Sequence, residues 1–204
     1  MGWYEKQVVP RIVDAALSPR QFARIRARVA ADLSGDVVEV GFGSGLNVPH
    51  YPPSVDRVRA VDPALLGRKL AAKRLVASQV PVDFIGLDGQ QLPLATASAD
   101  HVLCTWTLCT IPDVSQALCE MRRVLRPGGE LHFAEHGRSP DAKVAAWQDR
   151  LTPIQRRLAG GCHLNRPINE LIEDCGLSVS RLTNYYLKGP RVFGYMFEGV
   201  ATKR

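Results

Sequence analysis

Residues 37–45 carry the clearest structural signal in the chain and have the sequence Val-Val-Glu-Val-Gly-Phe-Gly-Ser-Gly. The apolar run indicates a buried strand, and the alternating glycines after it allow a sharp turn and a close approach of the backbone to a ligand. A nicotinamide- or flavin-binding turn has the spacing G-x-G-x-x-G. Here that third position is Leu46, and Gly45 comes one residue too early. The stretch therefore predicts a strand and a ligand-binding glycine turn, but not a dinucleotide site.

Length and composition indicate one globular domain. The chain has 204 residues, of which 46% are hydrophobic and 23% are charged, which is ordinary for a single α/β domain. Its apolar runs are shorter than the roughly 18 residues that a membrane-spanning helix needs, and the first residues lack the apolar core of a signal peptide. We therefore expect residues 1–204 to form a single cytoplasmic domain.

The cysteines indicate a reducing environment. Their number, five, is odd, and no C-x-x-C pair is present, which is typical of reduced structural thiols. A zinc site built from Cys162, His163 and distant partners is the less favoured interpretation. We therefore expect no metal.

Residues 1–34 are predicted to form a basic helical segment, in a chain whose net charge is +6. Apolar residues recur at helical spacing from Phe22 to Leu33, and Ser18-Pro19-Arg20-Gln21 indicates a capping box at the helix start. The arginines of this segment are Arg11, Arg20, Arg24, Arg26 and Arg28. They form either the solvated face of a helix packed on the domain or a surface attracted to an anionic membrane or an acidic substrate. Nucleic-acid binding is not expected, because no recognition motif accompanies the charge.

Beyond this segment, strand and helix patterns alternate, which predicts a parallel sheet with helices on both faces. The predicted strands lie near residues 36–41, 56–61, 82–86, 100–106 and 130–134, and two further strands, 177–187 and 192–202, are expected to pair antiparallel. Helices are predicted over residues 64–78, after Asp113, and up to residue 176 with an interruption near Gly160.

Two aspartates follow predicted strands. Asp62 comes after the second strand, where a carboxylate can accept both ribose hydroxyls of an adenosyl group. Asp88 comes after the third strand, where a carboxylate can accept the amino hydrogens of adenine. Because the carboxyl ends of parallel strands meet at one edge of a sheet, both acids are expected beside the glycine turn.

The motifs together resemble those of class I S-adenosylmethionine-dependent methyltransferases that act on small molecules, the methyltransferase type 11 group. The resemblance covers residues 35–136. It rests on Glu39-x-Gly41-x-Gly43-x-Gly45, Asp88-Gly89-x-x-Leu92-Pro93, Ala99-Asp100-His101-Val102 and Glu120-x-x-Arg123-Val124-Leu125-Arg126-Pro127-Gly128-Gly129. It implies a Rossmann-like α/β fold, with a seven-stranded sheet in the order 3-2-1-4-5-7-6 and strand 7 antiparallel.

The resemblance also implies S-adenosylmethionine as the cofactor, with S-adenosylhomocysteine as its product, and a set of site residues. The implied cofactor-binding residues are Glu39, Gly41, Gly43, Gly45, Asp62, Pro63, Asp88, Gly89, Cys104 and Thr105. The N-terminal segment 1–34 is expected to cover this site.

A narrower resemblance concerns the acceptor. Three patterns are similar to the methyltransferase-like family that includes animal thiol S-methyltransferases, namely Cys104-Thr105-x-x-Leu108-Cys109-x-Ile111, Glu135-His136 and Gly161-Cys162-x-Leu164-x-Arg166. A small thiol is therefore the expected acceptor, with His136 as the candidate base because imidazole titrates near neutrality. N- or C-methylation of a phospholipid or quinone-type acceptor and a non-catalytic cofactor-binding protein are the alternatives, and the oligomeric state stays open.

Overall fold

The computed structural model describes Tyr4 and residues 7–204. The predictions for residues 1–3, 5 and 6 lie outside the described residues. The strands are β1 (Gly35–Val40), β2 (Val55–Val61), β3 (Val82–Gly86), β4 (Ala99–Thr105), β5 (Leu125–His136), β6 (Ser178–Tyr186) and β7 (Tyr195–Thr202). The α-helices are α1 (Val9–Leu17), α2 (Arg20–Ala30), α3 (Leu65–Val76), α4 (Val114–Val124), α5 (Ala142–Leu158) and α6 (Ile168–Asp174).

The seven strands form one sheet in the order β3-β2-β1-β4-β5-β7-β6. The first five run parallel, and β7 runs antiparallel to both β5 and β6. Residues that connect β1 to β2 and β4 to α4 therefore leave the sheet at the same edge, beside the centre of the sheet. The predicted sheet order and the antiparallel strand 7 are confirmed.

The core lies in two layers, one on each face of the sheet. Helices α4 and α6 pack on one face, with Leu118, Met121 and Ile172 fully buried. Helix α2 packs on the other face through Ile25 and Val29, and α3 packs on the same face. Helices thus cover both faces of the sheet, as alternating strand and helix patterns predict.

Strand β5 begins earlier than the sequence predicts. It starts at Leu125 rather than residue 130, and its register against β4 shifts between Leu125 and Glu130. Gly128, with φ +78°, lies in this irregular part and donates its amide hydrogen to the carbonyl oxygen of Lys203 at 2.8 Å. Residues 125–129 therefore form a distorted first part of the strand, held by the chain that follows β7.

The predicted capping box at the start of α2 is wrong. Pro19 is the residue before the helix, and the Ser18 hydroxyl donates instead to the carbonyl oxygen of Asp14. Because α1 extends to Leu17, Ser18 terminates that helix and cannot also cap α2. The prediction that the arginines of this segment form a solvated face is only partly correct. Arg26 is buried, and Arg28 forms an ion pair with Glu198 at 2.7 Å. In the described part of the chain, every helix is too short or too polar to cross a bilayer.

Candidate active site

A cavity of about 670 Å³ lies at the edge of the sheet where β1, β2, β3 and β4 end. Segments 41–44, 61–66, 87–90, 105–107, 110–112 and 159–160 line it, together with residues of α1, Arg26, Leu46 and Asn47. Helix α1 contributes Val9, Pro10, Val13 and Leu17. The strand ends therefore form the floor of the cavity, and the N-terminal segment contributes part of its wall.

The glycine turn after β1 forms part of the cavity wall. Gly43 has φ +55°, a conformation that side chains with a Cβ rarely adopt. A Cβ on Gly43 would meet only the carbonyl oxygen of Gly41, at 3.9 Å, so the space beside this residue is open. Its amide donates to Oδ2 of Asp62 at 2.7 Å. The turn is therefore fixed by Asp62 and presents an open concave surface to a ligand.

Asp62 lies at the end of β2 and is only 7% exposed. Its Oδ1 accepts from the amide of Ala64 and its Oδ2 from the amide of Gly43, both at 2.7 Å. Burial raises its pKa, although both hydrogen bonds oppose this effect. Each carboxylate oxygen can accept a further hydrogen bond, so Asp62 can hold a pair of hydroxyls as the sequence predicts.

Asp88 follows β3 at the exposed end of the cavity. Its Oδ1 accepts from the backbone amide of Gln90 at 2.8 Å, and the Gln90 side chain accepts from the amide of Asp113 at 2.8 Å. Gly89 lies against the core, since a Cβ there would be 2.8 Å from Cγ1 of Val40. This turn is therefore tied to the start of α4, and a flat ligand can lie along it.

Glu39 lies beneath the cavity rather than in its wall. The side-chain amide of Asn47 donates to Glu39 Oε1 and to Thr105 Oγ1, both at 3.0 Å, and the Tyr51 hydroxyl donates to Oε2. Burial raises the pKa of Glu39 to about 7, against the lowering effect of these hydrogen bonds and of Arg26. Glu39 therefore positions Asn47, which lines the cavity, and holds the segment after the glycine turn.

Seven of the predicted cofactor residues line the cavity, and three do not. Those in the wall are Gly41, Gly43, Asp62, Pro63, Asp88, Gly89 and Thr105. Glu39, Gly45 and Cys104 lie behind it. Gly45 is buried against Ala71 of α3, and Cys104 is fully buried in the sheet. Their place in the motif reflects support of the turn and of β4 rather than exposure to the cavity.

Arg26 is a cavity residue that the sequence analysis assigned either to a solvated face of the helix or to a surface attracted to a membrane or an acidic substrate. Its guanidinium carbon lies 4.6 Å from the centre of the Trp106 ring, and its Nη1 donates to the carbonyl oxygen of Leu17 at 2.9 Å. Its Nε is buried and has no partner among the described residues. Burial lowers the pKa of Arg26 to about 10, so it still carries a positive charge at neutral pH. Its spacing from Phe22 and Val29 is helical and indicated an inward position.

Trp106, directly after β4, has φ +50°, a strained conformation for a residue with a bulky side chain. Its amide donates to the carbonyl oxygen of Ala134 at 2.9 Å, and the centre of its ring lies 5.4 Å from that of the nearly perpendicular Phe22 ring. The contact with Phe22 of α2 and the hydrogen bond to β5 thus hold Trp106 in this strained conformation at the cavity wall. Such strain is common at functional sites.

The candidate base His136 does not line the cavity. Its Nε2 lies 3.1 Å from Sγ of Cys162, and its Nδ1 is buried without a partner among the described residues. The preceding residue, Glu135, is buried. Its Oε1 accepts hydrogen bonds from the backbone amides of Thr107 and Leu108, at 2.7 and 3.0 Å. Burial raises the pKa of Glu135 to about 7. Both residues therefore support the cavity wall from behind.

Comparison with known proteins identifies the family. A model described as a methyltransferase domain matches residues 38–133, and rat thiol S-methyltransferase TMT1B is 33% identical over 167 residues, covering 79% of this chain and 67% of that protein. The chain belongs to the class I S-adenosylmethionine-dependent methyltransferases. It spans about two thirds of the length of the thiol S-methyltransferases that it matches.

Two further proteins extend this methyltransferase comparison. Phosphatidylethanolamine N-methyltransferase of Cereibacter sphaeroides is 27% identical over 170 residues, covering 78% of this chain and 79% of that protein. The crystal structure of a SAM-dependent methyltransferase from Aquifex aeolicus superimposes with a TM-score of 0.66 at 17% identity, covering 96% of this chain and 98% of that one. The structural likeness supports the Rossmann-like methyltransferase fold.

The cavity of this methyltransferase fits S-adenosylmethionine, which the family implies as its cofactor. Asp62 offers acceptors for ribose hydroxyls, and Asp88 offers one for the adenine amino group. Arg26 offers an unpartnered buried Nε and a positive charge for the carboxylate of the methionine part. The open space beside Gly43 leaves room for the ligand chain between these groups.

Proposed function

We propose that this methyltransferase transfers a methyl group to the sulfur atom of a small apolar thiol. The observation that carries the proposal is the composition of the cavity beyond the residues that fit the cofactor. Val9, Val13 and Leu17 of α1 line it there. An apolar wall favours an apolar acceptor, because its burial removes hydrocarbon surface from water.

The ionisable side chains support a thiol over an amine. Among the described residues, those that line the cavity are Arg26, Asp62 and Asp88, and all three have roles in cofactor binding. A thiol with a pKa near 8.5 ionises in part at neutral pH without a base, whereas an alkylammonium group, with a pKa of about 10.4, must lose a proton first.

The protein's contribution to the reaction is alignment and exclusion of water. S-adenosylmethionine, when bound, supplies a methyl group on a positively charged sulfur. Asp62, Asp88 and Arg26 fix the bound molecule at three separate points, which converts an encounter into an oriented contact. Helix α1 and Trp106 shield the acceptor end from solvent, and exclusion of water strengthens the electrostatic interactions inside.

The proposed reaction does not use His136, the candidate base of the sequence analysis, as a base. Its Nε2 is occupied by Cys162 and the cavity wall separates it from the acceptor end. A thiol acceptor requires no such base, so the proposed reaction does not depend on His136.

The test is methyl transfer from labelled S-adenosylmethionine to a panel of alkyl and aryl thiols, amines, quinols and phosphatidylethanolamine vesicles. Wild type is compared with Asp62→Ala and with Asp56→Ala, a control at an exposed aspartate on β2. We expect transfer to apolar thiols that Asp62→Ala abolishes and Asp56→Ala retains.

Two outcomes contradict the proposal. Transfer to phosphatidylethanolamine, as the name of the Cereibacter relative suggests, or to a quinol, with thiols inactive, would assign one of the alternative acceptors. Cofactor binding without transfer to any thiol in the panel would leave the methyltransferase fold intact and remove the thiol assignment. The vesicle arm, run with and without anionic lipid, also tests whether the basic N-terminal segment contacts a membrane surface.

A further inference from the structure

We propose that Cys109, His136 and Cys162 form a binding site for a zinc ion behind the wall of the cavity. Sγ of both cysteines and a ring nitrogen of His136 all lie within 4.8 Å of one another. Cys109 comes from the connection between β4 and α4, His136 ends β5, and Cys162 lies between α5 and α6. The tertiary structure thus unites three distant segments that carry no metal-binding spacing in the sequence.

The ligand types and distances suit zinc. Zn–S bonds of about 2.3 Å and Zn–N bonds of about 2.0–2.1 Å in a tetrahedral site place ligand atoms about 3.5–3.8 Å apart. His136 Nε2 already lies 3.1 Å from Cys162 Sγ, so small side-chain movements suffice. Both cysteines are buried and free of disulfides. Zinc binding would release the two thiol protons to solvent, and two thiolates then balance the charge of Zn²⁺.

The backbone around both cysteines is fixed without using their sulfur atoms. The amide of His163 donates to the carbonyl oxygen of Cys109 at 2.8 Å, and the Arg166 guanidinium donates to the carbonyl oxygens of Leu108 and Pro112. The two sulfur-bearing segments are therefore held together before a metal arrives, which lowers the entropic cost of binding. His163, the zinc ligand that the sequence suggested, contacts the Cys109 carbonyl instead.

A second group of metal-ligating residues gives a useful contrast. His101, Glu130 and His132 also lie close together, but their ring nitrogens already have partners. His101 contacts Ser34 Oγ and His132, and His132 also contacts the carbonyl oxygen of Val29. The ring nitrogens of His101 and His132 are thus all used in hydrogen bonds. In the His136 ring, Nε2 has the Cys162 sulfur as its partner, and Nδ1 has none among the described residues.

The proposed zinc site would stabilise the cavity wall. Thr110, next to Cys109, lines the cavity, and so does Gly160, two residues before Cys162. A metal that joins Cys109, Cys162 and the end of β5 therefore links two neighbouring parts of the wall to the sheet. Three protein ligands leave one position for a water molecule.

The first test measures zinc by mass spectrometry in the full chain, purified without chelators and then given Zn²⁺. We expect one zinc ion per chain. Cys162→Ser and Cys109→Ser should each weaken binding at least tenfold, while Cys119→Ser, at an exposed cysteine on α4, should bind like wild type. Addition of Cd²⁺ should give thiolate-to-metal absorption in the ultraviolet with wild type and Cys119→Ser only.

A second measurement uses wild type, so its result does not depend on whether the cysteine variants fold. In wild type, alkylation followed by peptide mass spectrometry should show Cys109 and Cys162 protected by Zn²⁺ and exposed again by a chelator, with Cys119 unaffected. Absence of stoichiometric zinc, zinc that persists in both cysteine variants, or labelling of Cys109 and Cys162 that ignores zinc would each overturn the site. These readouts are independent of methyl transfer, so they do not depend on the proposed acceptor.

Discussion

A Cβ atom on Gly67 would lie 2.4 Å from the carbonyl oxygen of Gly43, so only glycine lets α3 pack directly on the glycine turn. A glycine inside a helix lowers the stability of the helix by about 1 kcal/mol relative to alanine. At Gly67 the close contact with the turn leaves no room for a larger residue. The helix and the turn therefore form one unit at the cavity, and Gly67 belongs to the site although it does not line the cavity.

Gly67→Ala is expected to weaken binding of S-adenosylhomocysteine about tenfold or more, despite the better helix propensity of alanine. The added methyl group must push the turn away from α3, and a displacement of about 1 Å in a positioning group can cost about 100-fold. Isothermal titration calorimetry measures the change in Kd. Lys73→Ala, at an exposed position of α3, should leave Kd unchanged; equal Kd values for Gly67→Ala and wild type would show that the turn adapts freely.

Arg26→Gln is expected to weaken S-adenosylhomocysteine binding by about 10- to 100-fold, since a hydrogen bond to a charged group contributes about 1.5–3 kcal/mol. Binding of 5′-methylthioadenosine, which lacks the amino-acid part, should change little. Arg24→Gln is the control, because Arg24 is exposed on the same helix. A parallel loss of affinity for both ligands would mean that Arg26 supports the cavity in general instead of pairing with the carboxylate.

Asp88→Ala is expected to abolish discrimination between S-adenosylhomocysteine and S-inosylhomocysteine. Wild type should prefer the adenosyl compound, because inosine has no amino group to donate to the Asp88 carboxylate. Competitive binding of the two ligands measures the preference, and Asp83→Ala provides an exposed control on β3. If Asp88→Ala weakens both ligands equally, the carboxylate orders the turn through Gln90 and does not recognise the base.

Glu39→Gln is expected to reduce the dependence of stability on pH. The pKa of Glu39 is about 7 in the folded protein, above the ordinary 4.5, because the carboxyl is buried. Between about pH 4.5 and pH 7 the unfolded chain has released this proton while the folded chain retains it, so the free energy of unfolding falls as pH rises, by up to about 3 kcal/mol.

Urea denaturation between about pH 5 and pH 8 measures this slope. Glu135, with a pKa also raised to about 7, adds to it in the same direction, so Glu39→Gln should make the decline shallower without abolishing it. Glu173→Gln, at an exposed position of α6, should retain the wild-type slope. A Glu39→Gln slope as steep as that of wild type would mean that the buried carboxyl is ionised throughout this range.

Most of the sheet could be predicted from the sequence, because strand periodicity and glycine turns are local properties. The predicted positions of β1, β2, β3 and β4 agree with the structure to within one residue. Strand β5 is the exception: its first residues pair irregularly with β4, and the segment after β7 binds Gly128 there. That pairing depends on residues far along the chain, so no local pattern around 125–130 reveals it.

The cofactor part of the site was also largely predictable, since Asp62 and Asp88 follow strands whose carboxyl ends must meet in a parallel sheet. Arg26 was assigned to the wrong environment because charge outweighed its helical spacing in the interpretation. Its guanidinium packs on the Trp106 ring, and the Trp106 amide donates to Ala134 of β5, so its environment depends on residues distant in sequence.

The sequence alone determined the fold class, the family and the two acids, Asp62 and Asp88, that line the cavity. These follow from periodicity, from the conformational demands of glycine and from motifs that lie within single segments. Only the tertiary structure decided that Glu39 lies beneath the cavity, that Arg26 enters it, and that Cys109, His136 and Cys162 lie together. These relations arise from packing between segments that are distant in sequence, where burial changes both the pKa of a group and the partners it can reach.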